Sequence, residues 1–109
     1  MKQAEVLILL EQFQAIRRGH FQLSSGLHGP VYVQCALVLQ YPEQAARLAA
    51  ALVEQINVER VQAVVAVALG GILWGYELAR RLGARALFVE RSPGGQFELR
   101  RGFRLSAGE

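Results

Sequence analysis

Two adjacent glycines, Gly70 and Gly71, stand between an apolar run, Val61–Val67, and a segment with helical spacing, Gly71–Leu82. Glycines at such a junction let backbone N–H groups come close to an anion at the positive end of a helix dipole. The chemistry this serves is the holding of a phosphate or diphosphate by amide donors. The pattern is not G-x-G-x-x-G, so the dinucleotide fingerprint is not met. Two readings stay open: an anion cradle, or a glycine pair that only permits tight strand–helix packing. A second candidate is Ser24-Ser25-Gly26, two hydroxyls and a turn glycine, followed by His28-Gly29-Pro30 and the β-prone Val31-Tyr32-Val33. A third is the arginine group Arg91, Arg100, Arg101 and Arg104, set about Pro93-Gly94-Gly95. Arginine suits bidentate contacts to phosphate and carboxylate. This segment reads either as a basic flap that closes over a phosphate-rich substrate or as a solvated hairpin.

Other chemistries find less support. All nine carboxylates are glutamates, and aspartate is absent. The single cysteine, Cys35, rules out an internal disulfide and a cysteine-based metal cluster. It lies in the apolar run Cys35–Leu39 and is expected to be a buried, inert thiol. His28 reads as an exposed loop residue and His20 as the start of a strand. The two are too far apart in sequence to suggest a metal site, and no protein-held metal is expected. The formal net charge of +3 is modest, and arginines do not interleave with aromatics along one strand face, so no nucleic-acid partner is expected. No apolar run reaches the roughly 18–20 residues that span a bilayer. The start, MKQAEVLILLEQF, reads as an amphipathic helix and not as a secretory signal. A reducing, cytoplasmic setting follows from this reading.

The elements that must position these residues are legible from periodicity. A helix is expected over residues 3–18, stopped by Arg17-Arg18-Gly19. A short strand at Phe21–Leu23, a loop and a strand at Val31–Val33 follow. Pro42 opens a helix through about Ile56 whose apolar face holds Ala45, Leu48, Ala49, Leu52, Val53 and Ile56. Val61–Val67 reads as a strand covered on both faces. The Gly71–Leu82 helix carries a Glu77–Arg81 pair at i,i+4 and stops at Gly83. Arg85–Glu90 is the next strand. Gln96–Leu105 alternates weakly, as a hairpin partner would. Strand–helix–strand at this spacing makes a right-handed parallel crossover. Two core strands are few for a doubly wound sheet, so further chain or another subunit is expected to cover its faces and edges.

Two blocks together resemble orotate phosphoribosyltransferase, of the type I phosphoribosyltransferase group. They are His20–Gln34 (HFQLSSGLHGPVYVQ), with its Ser25-Gly26-x-x-x-Pro30 pattern, and Ala66–Gly83 (AVALGGILWGYELARRLG). The stretch Leu87–Gly102 falls where that family has its mobile catalytic loop. The resemblance implies an α/β fold: a parallel sheet with flanking helices plus an N-terminal hood, the C-terminal part of the fold being absent. It implies one incomplete domain over 1–109, with a hood region at 1–40 and the first part of the core with its flap at 41–109. The implied reaction transfers ribose 5-phosphate from phosphoribosyl pyrophosphate to orotate, giving orotidine 5′-monophosphate in pyrimidine biosynthesis.

Site residues carried over by the resemblance fall into four groups. Leu69, Gly70 and Gly71 would lie on the pyrophosphate, with an unusual peptide geometry near Leu69-Gly70. Ser24, Ser25 and Gly26 would lie at the phosphates and base. Tyr32 and Val33 would lie against the orotate ring, partly through backbone groups. Arg91 would be the catalytic-loop cation that reaches a partner's site in a homodimer. Mg²⁺ is implied as the cofactor, bridging substrate oxygens. Some members of the family have a lysine at the position of Gly70, and a basic residue is common at that of Ser24; this sequence has neither. Its paired acids and Thr/Gly-rich turn are expected just past Glu109, so little or no turnover is expected from these 109 residues alone. The alternative is a non-catalytic anion- or nucleotide-binding module of the same fold.

Overall fold

The structure is a computed structural model that describes residues 1–56 and 59–109. The chain divides into two compact units, Met1–Tyr41 and Pro42–Glu109.

In the first unit, helix α1 spans Gln3–Gln12 and strands β1 (Ile16–Gln22) and β2 (His28–Val33) form a two-stranded antiparallel sheet. The expected helix over 3–18 is therefore too long. Gln14 takes a positive φ of 60°, which ends the helical path, and Arg17-Arg18-Gly19 lies in β1 instead of closing a helix. The ladder runs from Ile16↔Val33 to Gln22↔His28, with a shift between Arg18 and Phe21 that inserts one extra residue on β1. Pro30, which has no N–H to donate, stands opposite this bulge, where its missing donor costs no ladder bond. A four-residue helix that periodicity did not reveal, α2 (Ala36–Leu39), follows. Its Val38 and Leu39 are buried, and Cys35 precedes it as an exposed residue. The apolar run thus buries its far end, and the expectation of a buried thiol is corrected. Phe13 packs on Tyr41, ring centroids 5.2 Å apart.

In the second unit, α3 (Pro42–Gln55) packs on α4 (Ile72–Leu82), and α4 packs on β3 (Ala63–Val67) and β4 (Arg85–Arg91). The β3–β4 pair is parallel, from Ala63↔Arg85 to Val67↔Val89, and β5 (Phe97–Leu99) adds to β4 antiparallel. The parallel crossover and the weak hairpin are both present. Among the described residues the sheet order is β3-β4-β5, so one side of β3 has no partner strand. A Cβ built on Gly75 of α4 would stand 2.6 Å from the Ala66 Cβ, so helix and strand approach as closely as a glycine allows. Val65 and Val67 alternate to the other face and are 43% and 48% exposed. The expectation that both faces of this strand are covered fails for that face. Gly83 at φ 68° closes α4 with amide bonds from Gly83 and Ala84 back to Arg80 and Ala79. Glu77 pairs one residue nearer than expected, with Arg80 (Nη2–Oε1 2.6 Å), in place of Arg81.

Arg85 anchors the end of the chain. Its Nε and Nη2 each donate to the Glu109 carboxylate at 2.8 Å, and Nη2 also donates to the Arg104 carbonyl. The Arg85 guanidinium, helped by the Ser106 amide, pulls the Glu109 carboxyl down to about 2 from its ordinary 4.5. A carboxyl lowered on folding adds stability that is whole above its unfolded pKa and disappears as pH falls through the folded one. Wild type is therefore expected to melt above Glu109→Gln by a constant margin over pH 4.5. That margin closes on acidification towards pH 2, which thermal melts across pH will check.

Candidate functional site

The first candidate is the loop after β3. In a parallel pair the carboxyl ends of both strands share one edge, and open α/β sheets bind ligands outside that edge. The loop 68–71 and the end of β4 lie there together. The Ala68 N–H donates to the Val89 carbonyl at 2.9 Å, fixing the loop to β4. The unusual peptide is the Ala68–Leu69 bond, which is cis, one bond earlier than expected.

The two glycines divide the two readings between them. A Cβ on Gly71 would stand 2.8 Å from the Val67 carbonyl oxygen, so packing alone demands glycine there. The Gly71 amide is already spent on that carbonyl at 3.0 Å, and the Ile72 amide on the Leu69 carbonyl at 3.2 Å. The Gly71 amide is thus occupied within the chain. Gly70 differs. A Cβ there would meet nothing within 4 Å, and its φ is not in the left-handed region. The amides of Leu69 and Gly70 have no protein acceptor among the described residues, and Leu69 is 84% exposed. Two free N–H groups beside a glycine that packing does not require leave room for an anion's close approach.

Arg91 ends β4 at the same edge. Its guanidinium lies over the Phe97 ring, 4.6 Å from the centroid, and Nη1 donates to the Gly95 carbonyl at 3.3 Å. Arg85, Arg100 and Arg101 all have glutamate partners, whereas Arg91 has none among the described residues. Among the described residues no carboxylate pairs with its positive charge. Arg101 is bound to Glu90 through two hydrogen bonds of 2.8 and 2.9 Å and caps the Phe88 ring, so it braces the hairpin. The loop between β4 and β5 is closed by Ser92 N–H to the Gln96 carbonyl at 2.7 Å.

The other candidates belong to the first unit. Ser24, Ser25 and Gly26 form the tip of the β1–β2 hairpin, with Gly26 at φ 86°. The Ser25 hydroxyl accepts from the Leu27 amide at 3.3 Å, while the Ser24 hydroxyl has no partner among the described residues. Tyr32 and Val33 end β2, whose outer edge has no partner strand among the described residues, so alternate backbone groups face outward. Tyr32 is not a core aromatic: it is exposed and packs beside Phe21 at 5.7 Å. The structure also joins His20 and His28, whose Nε2 and Nδ1 lie 2.8 Å apart. Their sequence separation concealed this, because a hairpin brings together residues on its two strands. The alternation of β1 and β2 was the available signal.

Curated proteins match this chain along its whole length. An orotate phosphoribosyltransferase of Novosphingobium aromaticivorans is 49% identical over 112 residues, covering 100% of this chain and 57% of that protein. One from Caldanaerobacter subterraneus subsp. tengcongensis is 43% identical over 109 residues, with the same coverage. The chain's likeness to the orotate phosphoribosyltransferases runs from end to end. The fold is type I phosphoribosyltransferase-like, as a solved orotate phosphoribosyltransferase from Aeropyrum pernix superposes with a TM-score of 0.67 at 28% identity. That alignment covers 86% of this chain and 56% of the other. The chain spans a little over half the length of the curated relatives it matches. No family model matches it.

Proposed function

We propose that this chain supplies the pyrophosphate- and base-facing portion of an orotate phosphoribosyltransferase. In that reaction the bond from the anomeric carbon to pyrophosphate breaks, and the electron pair leaves with pyrophosphate. A ring nitrogen of orotate bonds to that carbon and gives up its proton, to pyrophosphate or to water, giving orotidine 5′-monophosphate. Cationic character develops on the sugar and negative charge on the leaving group, so positioning and charge stabilisation dominate. The observation that carries the reading is Gly70: a glycine that no packing demands, with two free amides, at the carboxyl edge of a parallel strand pair. The Leu69 and Gly70 amides would hold the departing diphosphate. Arg91 would swing from Phe97 to meet its charge, in its own active site or, in a homodimer, the partner's. Ser24, Ser25 and Gly26 would contact phosphate and base, and the free edge of β2 at Tyr32 and Val33 would receive the planar ring.

The chain's own residues do not fit a resident Mg²⁺. Aspartate is absent, and among the described residues no group of three or more histidine, cysteine or acidic side chains can hold a cation. The Mg²⁺ that the resemblance implies would enter on phosphoribosyl pyrophosphate, whose oxygens are its natural ligands. Among the described residues no helix is long and apolar enough to cross a membrane.

The test uses two proteins. The 109-residue chain is expected to bind pyrophosphate saturably and to show little or no turnover with orotate, phosphoribosyl pyrophosphate and Mg²⁺. A chimera that joins it to the part of the Novosphingobium relative it does not span is expected to form orotidine 5′-monophosphate. A folded but inactive chimera, with pyrophosphate binding intact in the bare chain, would favour a non-catalytic anion-binding module. Robust turnover by the bare chain would overturn the division of the site.

A further inference from the structure

The sequence contains only two histidines, and the fold places them nitrogen to nitrogen. His20 lies in the bulged part of β1, two residues before Gln22, the cross-strand partner of His28. Residues two apart on a strand share a face, so both rings stand on one side of the hairpin. The rings meet edge to face with centroids 4.8 Å apart, and His20 Nε2 lies 2.8 Å from His28 Nδ1. Both residues are exposed. Beside them is an open recess of about 240 Å³ lined by Gly19, His20, His28, Gly29 and Pro30.

We propose that His20 and His28 form a two-imidazole binding site for a divalent first-row transition metal such as Cu²⁺ or Zn²⁺. The geometry is nearly that of a chelate. With Zn–N bonds of about 2.0–2.1 Å, two nitrogens on a tetrahedral ion stand roughly 3.3–3.4 Å apart. The pair need open by only about half an ångström for an ion to replace the shared hydrogen. No proton is lost in the exchange. The ring that donates in the hydrogen bond shifts its proton to its other nitrogen, and both nitrogens then offer lone pairs. Gly19, Gly29 and Pro30 add no side-chain donor, so the remaining coordination positions fall to water or an added anion, as in open metal sites. Imidazole favours Cu²⁺, Zn²⁺ and Ni²⁺ over Mg²⁺, and the usual order of stabilities puts Cu²⁺ first. The site is therefore separate in chemistry from the substrate-borne cation, and it does not depend on the proposed transferase reaction.

The test titrates the 109-residue chain with Cu²⁺ alone, and with Zn²⁺ alone, against a chromophoric chelator. One ion per chain is expected, with a Cu²⁺ electron paramagnetic resonance spectrum that shows two imidazole nitrogens. His20→Ala and His28→Ala should each weaken binding by more than about a hundredfold, beyond the loss of an outer-shell partner, and reduce the spectrum to one nitrogen. Cys35→Ser should leave both unchanged. Should a histidine variant fail to fold, ¹⁵N ring resonances of the wild type give a second reading, with Zn²⁺ expected to shift both histidines. Unchanged affinity in both histidine variants, loss of binding in Cys35→Ser, or a shift of only one ring would overturn the site.

Discussion

Gly70→Ala is expected to leave stability within about 0.5 kcal/mol of wild type while cutting pyrophosphate affinity by about tenfold or more, or ~1.4 kcal/mol. The added methyl meets no protein atom within 4 Å and imposes no left-handed strain, so the folded state has nothing to resist it. On the proposed reading a diphosphate must come within hydrogen-bond distance of the Leu69 and Gly70 amides, which have no acceptor among the described residues, and a methyl on the adjoining Cα would crowd that approach. Gly71→Ala should behave in the opposite manner. Its methyl collides with the Val67 carbonyl at 2.8 Å, so the fold itself loses stability, by about 1–3 kcal/mol for an overpacked site. Urea midpoints and calorimetric titration with pyrophosphate separate the two. An alanine at 70 that binds pyrophosphate like wild type would remove the main support for a diphosphate cradle.

The second large effect is at Gly75. Gly75→Val is expected to destabilise the second unit by about 3 kcal/mol, because even its Cβ must fall 2.6 Å from that of Ala66. Helix propensity works the other way but supplies less than about 1 kcal/mol, so the clash wins. Gly75→Ala should cost less, and pairing it with Ala66→Gly should recover part of the loss. Chemical denaturation of the four proteins gives that coupling directly. Additive losses would show that helix and strand do not meet where the structure puts them.

Much of this was legible because the signals were local. Pro42 and the apolar spacing at Ala45, Leu48 and Ala49 announced α3, since its buried stripe is written at helical period. The β3–loop–α4 unit was legible from Val61–Val67, Gly70-Gly71 and Gly83, where apolar run and glycine punctuation agree. The misses were non-local. Arg17 and Arg18 look like a helix end, yet pairing with Tyr32 and Val31 draws them into a strand. Cys35 looked buried because its neighbours are apolar, but α2 turns only Val38 and Leu39 inward. The roles of Gly70 and Gly71 could not be told apart from sequence, because only the position of the Val67 carbonyl distinguishes them.

The open flank of β3 bears on how these residues behave in a test tube. Among the described residues no strand pairs with this edge, which lies next to two half-bared valines and offers a template for a strand of another molecule. Colloidal repulsion from a net charge of +3 is a small counterweight. Concentrated preparations of the 109 residues alone are thus prone to self-stacking, and a lysine in place of Val65 is the natural remedy.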